Sequence, residues 1–164
     1  MEQENRPPLL PVVIGTGFGS GFWPWGPGTA SAVLATLIWL ALSCWLGCQQ
    51  LWMVTLLLIV VFTALGTWAT ARLEPYWGED PSRVVVDEMV GVWIPLLLAG
   101  NEAHNKWWMA VLALVLFRFF DIVKPFGIRA LDRRHGAIWV MLDDVLAGIY
   151  SLLAMKGFII IFYG

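Results

Sequence analysis

The chain has 164 residues, of which 59% are hydrophobic and 13% charged, with eleven Trp and a mean hydropathy of +0.73. A soluble domain carries about 25% charged residues, so this composition excludes an ordinary globular protein and points to one integral membrane domain, residues 1–164. The net charge of −2 says little, and no nucleic-acid partner is expected; where the charges sit matters more than their sum.

Residues 1–27 lack the basic start and apolar core of a cleaved signal, because Pro7, Pro8, Pro11 and the glycines after Ile14 interrupt it, so the N-terminus is expected to be retained. Residues 9–28 carry Gly15, Gly17, Gly19 and Gly21, then Trp23-Pro-Trp-Gly-Pro-Gly28. That stretch is too broken to span a bilayer and suits an interfacial or re-entrant segment with Trp23 and Trp25 at headgroup level. Thr29 is read as the cap of a helix from Ala30 to about Cys48, close to the ~20 residues a hydrocarbon core requires. Cys44 and Cys48, four apart on that helix, read as small packing residues.

A second apolar run from Leu51 to about Ala71 is ended by Arg72, Glu74, Pro75 and Glu79. Asp80-Pro81 reads as the cap and first position of a third helix, about Pro81 to Ala99, stopped by Gly100-Asn101 and holding Asp87 and Glu88 two turns inside. The fourth helix, about Trp107 to Val123, carries Arg118 and Asp121 near its end, with Lys124 and the closing Pro125 beyond. A polar loop with Arg129, Asp132, Arg133 and Arg134 leads to a fifth helix, which starts between Ala137 and Asp143 and reaches about Phe162, with Lys156 able to snorkel. The fold class is therefore all-α: a polytopic bundle of about five transmembrane helices behind an N-terminal Gly-rich segment. An inside N-terminus and outside C-terminus place Arg6, Arg72, Arg83, Lys124, Arg129, Arg133 and Arg134 on the cytoplasmic side, against Lys106 and Lys156 outside.

That topology brings Asp87, Glu88, Arg118, Asp121, Asp143 and Asp144 into one layer near the cytoplasmic surface. Intramembrane carboxylates are costly unless they are paired or bind a cation. Five carboxylates against Arg118 and nearby Lys124 cannot all pair, so a cation is expected; oxygen-only ligation without His or Cys suits Mg2+, which also binds substrate phosphate. His104 is expected outside and His135 in the cytoplasmic loop, so neither reads as a ligand in this layer. Each acid also has a structural reading: Asp121 as the helix partner of Arg118, Asp143 as a cap, Asp87 and Glu88 as headgroup-level charges. Their convergence carries the functional reading. Near Gly28 the amides of the first helix face the same side and could hold a phosphate, with Ser20 and Thr29 adding hydroxyl donors, although no P-loop or dinucleotide fingerprint is present.

Gly17-Phe-Gly-Ser-Gly21, Pro27-Gly-Thr29, Val86-Asp-Glu88 with Gly91, Phe117-Arg118 with Asp121 and Lys124-Pro125, and Asp143-Asp-Val-Leu-Ala-Gly148 resemble the bacterial phosphatidylglycerophosphatase A family in order and spacing over roughly residues 15–151. Trp23, Gly127 and Trp139 depart from that pattern. The resemblance implies a Mg2+-dependent phosphatase of the inner membrane that converts phosphatidylglycerophosphate, a lipid held in the bilayer, to phosphatidylglycerol. By motif it implies catalytic Asp87, Glu88, Asp121, Asp143 and Asp144, with Glu88, Asp121, Asp143 and Asp144 as metal ligands and Arg118 and Lys124 on the phosphate.

The rival is an ion- or proton-coupled transporter using the same carboxylates; that class places its site near the midplane, often between inverted repeats, whereas these acids gather at one end. A nonenzymatic assembly subunit leaves the acidic excess unexplained. A cysteine phosphatase is excluded because neither Cys44 nor Cys48 has an Arg six residues on.

Overall fold

Apolar residues of good helix propensity, interrupted mainly by Gly and Pro, leave helix as the structure that satisfies its own backbone in lipid. The computed structural model describes residues 6–100, 106–125 and 127–163, and among these every regular element is helical. The order is α1 (Leu9–Gly15), a 3-10 turn (Ser20–Phe22), α2 (Pro27–Trp45), α3 (Cys48–Trp77), α4 (Val86–Ala99), α5 (Lys106–Val123), α6 (Ile128–Asp132) and α7 (Ala137–Tyr163). Of these, α2, α3 and α7 are long and apolar enough to cross a membrane. Of the five spans expected, the other two correspond to α4, which has 14 residues, and α5, which carries Lys106, Arg118 and Asp121 within 18. Asn101 and His104 lie outside the described residues.

The Gly-rich segment is more ordered than its composition suggests. Pro11 sits in the first turn of α1, where its missing N–H has no helical partner to lose. At seven residues α1 is only about 10 Å long and cannot span. Positive φ at Gly17, Phe18 and Gly19 turns the chain back, and Phe18 meets Phe62 of α3 edge-on.

Several boundaries differ from the sequence reading. The first long helix runs from Pro27, using Pro at its first position, and ends at Trp45. Extended Gly47, whose N–H donates to Gln50 Oε1 (3.2 Å), then begins α3 at Cys48, so Cys44 and Cys48 lie on different helices; both are exposed, and the Cys48 thiol donates to the Gly100 carbonyl (3.1 Å). The second helix passes through Arg72, Glu74 and Pro75 to Trp77, because a proline in the last turn forfeits only one hydrogen bond, and Gly78 at φ 84 closes it.

The third helix begins at Val86, five residues later than Pro81. Asp80 has φ 48, which is no helix-cap geometry, and tertiary hydrogen bonds hold the segment outside the helix. Val85 N–H donates to the Gly15 carbonyl (2.8 Å), and Ser31 Oγ donates to the Val85 carbonyl (2.7 Å). Arg83 adds cation–π contacts to Phe22 and Trp77. As a result Asp87 and Glu88 occupy the first turn of α4 rather than its interior.

Helix α4 is apolar on all sides because it is the centre of the bundle, packed against α2, α3, α5 and α7. Met89, Val92, Trp93 and Leu96 are buried with Trp39, Leu51, Met109 and Phe117 from its neighbours. The two buried indoles are satisfied: Trp93 Nε1 donates to the Ala35 carbonyl (3.1 Å) and Trp39 Nε1 to Thr55 Oγ1 (3.0 Å). Pro95 cannot bond the Gly91 carbonyl one turn back, and that carbonyl faces Gly148 of α7, where a Cβ would lie 2.5 Å from it. The pair of glycines lets the two backbones meet.

Candidate active site

Alternating helix directions bring the starts of α2 and α4, the end of α5 and the early turns of α7 to one end of the bundle. There they enclose a cavity of about 220 Å³ lined by acidic side chains from four places in the chain: Asp80, Asp87 with Glu88, Asp121, and Asp143 with Asp144. Lys124 and Ser82 complete its polar wall; Pro27, Gly28, Val84 and Val140 form the rest. Asp87, Asp143 and Asp144 are buried.

The acids divide into two groups by their partners. Asp121 accepts a short hydrogen bond from Arg118 Nη1, and the same nitrogen lies 4.0 Å from Glu88 Oε1. Asp143 accepts from Lys124 Nζ at 3.1 Å, and its other oxygen accepts the Asp144 backbone N–H at 3.0 Å. Lys124 reaches Asp143 from a left-handed backbone position, φ 46, where α5 has ended and its chain turns toward α7. Asp87, Glu88 and Asp144 instead place one carboxylate oxygen each within 4.8 Å of one another. The sequence reading put Glu88, Asp121, Asp143 and Asp144 together as metal ligands; in the structure Asp87 joins Glu88 and Asp144, while Asp121 and Asp143 face Arg118 and Lys124.

The trio fits a hard divalent cation. Its donors are all carboxylate oxygens, the chemistry Mg2+ prefers. Glu88 Oε2 is buried with no hydrogen-bond partner, and an orphaned buried carboxylate oxygen is costly unless something else binds it. Gly28 makes the room: a Cβ there would stand 1.9 Å from Glu88 Oε1. The glycine read as an amide donor thus also has a steric role.

Ser20 and Thr29, read as hydroxyl donors to phosphate, do not line the acidic cavity. They border a separate apolar groove of about 450 Å³ with Trp23, Trp25, Val33 and Leu37. Ser20 Oγ donates locally to the Gly17 carbonyl at 2.9 Å, which fastens the turn. Asp80 and Ser82 were missed as cavity residues because Asp80-Pro81 imitates a helix start; the polar pair just before Val86-Asp-Glu88 was the available signal. His135 does not line the acidic cavity; it pairs through Nδ1 with Glu79 Oε2 at 2.6 Å.

A family model described as Phosphatidylglycerophosphatase A matches residues 13–159. A Bacteroides thetaiotaomicron protein named as a candidate phosphatidylinositol-3-phosphatase is 56% identical over 150 residues, covering 91% of this chain and 93% of that protein. Proteins named phosphatidylglycerophosphatase A from Haemophilus influenzae and Escherichia coli are 35% and 30% identical, covering 90% and 85% of this chain and 88% and 77% of their own lengths. No solved structure matches. A family match across most of the length, containing every acid of the cavity, means that the chain belongs to the phosphatidylglycerophosphatase A family and is a lipid phosphatase.

Proposed function

We propose that the protein hydrolyses the terminal phosphomonoester of phosphatidylglycerophosphate, releasing phosphatidylglycerol and phosphate, with Mg2+ in the acidic cavity and at the cytoplasmic surface of the bacterial inner membrane. The observation that carries the reading is the charge of the cavity. Six lining carboxylates oppose Lys124, and a phosphate dianion cannot enter such a space unless bound cations offset them. Asp87, Glu88 and Asp144 would hold the ion. When bound, Mg2+ supplies positive charge against phosphoryl oxygens and orients the group for in-line attack.

The chain's own residues do the rest. Arg118, held by Asp121, keeps Glu88 oriented, so the trio is arranged before substrate arrives. Lys124 lines the cavity, and its ammonium, a compact charge on a flexible stem, can turn from Asp143 toward phosphoryl oxygens. That move leaves the Asp143 carboxylate beside the phosphate, where attack on phosphorus or acceptance of a proton from water is open to it. Helices α4 and α5 complete the crossing set of five on this reading, and the site lies where a lipid phosphate meets water.

The 56% identical relative named for a phosphatidylinositol 3-phosphate activity supports a second substrate with the same reacting group, a phosphomonoester on a polyol headgroup. Phosphate release by purified protein from phosphatidylglycerophosphate, phosphatidylinositol 3-phosphate and phosphatidate, with Mg2+ and with chelator, tests both. Release from phosphatidylglycerophosphate that chelator stops is the expected result. Equal release with chelator would remove the metal from the reading, and preference for the inositol lipid would reassign the substrate.

A further inference from the structure

Beside the acidic cavity lies a second polar recess of about 230 Å³, formed where the end of α3 meets the start of α7. Asp80 and Val140 line both, so the two spaces share a wall. We propose that this cleft, lined by Thr70, Glu74, Glu79, Asp80, Arg134 and His135, is the headgroup subsite: it holds the polyol and phosphodiester of the lipid while the terminal phosphate sits in the acidic cavity.

Thr70 supplies the independent observation. Thr36, Thr55, Thr63 and Thr67 each donate their hydroxyl to the carbonyl four residues back, the ordinary resting place for a helical threonine. Thr70 is only 3% exposed, yet its Oγ1 has no hydrogen-bond partner. A buried hydroxyl left without a partner costs free energy that a ligand hydroxyl recovers. The surrounding groups match the same ligand. Glu74 and Asp80 offer carboxylate oxygens, which accept hydroxyl protons and are of no use to a phosphate. Arg134 supplies the cation for a phosphodiester, its guanidinium carbon 4.3 Å from the centre of the Trp139 ring, which supports the side chain while leaving edge N–H groups available. His135 and Glu79 pair across the rim. Acceptors for hydroxyls next to one cation form a site for a polyol joined to a phosphodiester.

This assignment rests on the acidic cavity being the phosphate site. Two measurements separate the two readings. The first is kcat/KM for phosphatidylglycerophosphate relative to phosphatidate, whose phosphate sits directly on diacylglycerol without a polyol. Thr70→Val should lower that ratio about fivefold, the size of one neutral hydrogen bond, and Glu74→Gln, which removes a charged acceptor, by at least as much, through KM rather than kcat. An unchanged ratio in both overturns the subsite. The second is anisotropy of acyl-labelled phosphatidylglycerol binding in detergent micelles, which requires no hydrolysis. Should the wild type release phosphate from no lipid, the phosphatase reading fails alone: weaker phosphatidylglycerol binding by Thr70→Val still supports the subsite, and equal binding overturns it.

Discussion

At the scale of single residues, the cavity is arranged as much by a missing side chain as by charged ones. Gly28 leaves the volume in which Glu88 stands, and the atom that a Cβ would meet is the end of a flexible side chain rather than backbone. Gly28→Ala should therefore displace the Glu88 carboxylate without unfolding the protein: phosphate release falls more than tenfold while the thermal midpoint in detergent stays within a few degrees of wild type. Activity near wild type would show that the position of Glu88 is not limiting. Asp144→Asn preserves shape but removes one charge from the trio, so it should reduce release at least a hundredfold with folding intact. In the same assay Glu88→Gln should require more Mg2+ for half-maximal rate, and an unchanged titration would remove Glu88 from the ligands. The acids themselves were legible because burying them makes no sense without a partner. The convergence of Asp87, Glu88 and Asp144, with Asp121 and Asp143 in the closest contacts to Arg118 and Lys124, was not, since it depends on side chains that meet from different helices.

At the scale of elements, α4 departs furthest from its sequence pattern. Its apolar residues lie on all sides, which reads equally as a lipid-facing span or a buried strut; only the neighbours α2, α3, α5 and α7 decide for the strut. Its late start has a tertiary cause, the hydrogen bonds that tie Val85 to Gly15 and Ser31. Where α4 meets α7, a Cβ on Gly148 would lie 2.5 Å from the Gly91 carbonyl and 2.8 Å from Ile94 Cδ1. Backbone cannot yield as a side-chain end does, so Gly148→Ala should destabilise the fold by about 1–3 kcal/mol, in line with overpacked cores. Denaturant unfolding in mixed micelles measures this, and the same substitution at Gly19, where a Cβ meets nothing within 4 Å, is not expected to disturb packing. Gly19 has φ 93, so any cost there comes from backbone strain alone.

At the scale of the whole molecule, the acidic end and the α2–α3 turn lie at opposite ends of the bundle. In a background with Cys44 and Cys48 replaced by Ala, Ser82→Cys should react with a membrane-impermeant maleimide only from the cytoplasmic side and Gln49→Cys only from outside; both residues are exposed. The reverse pattern would invert the orientation inferred from positive charge. Composition alone pointed to a membrane protein, because 13% charged residues is well short of what a soluble domain carries, and the long apolar runs pointed to helices. The order of the acidic motifs, spaced along helices that alternate in direction, determined that Asp87, Glu88, Asp121, Asp143 and Asp144 gather at one end. Only the tertiary structure decided that Asp87 stands with Glu88 and Asp144, that Asp80 joins the wall, and that Ser20 and Thr29 face another groove. The physical reason is one of range: burial cost and helical period act along the chain and can be read from it, whereas the grouping of the carboxylates is set by steric contacts between segments such as Gly28 and Glu88, sixty positions apart, where a single methyl group settles the geometry.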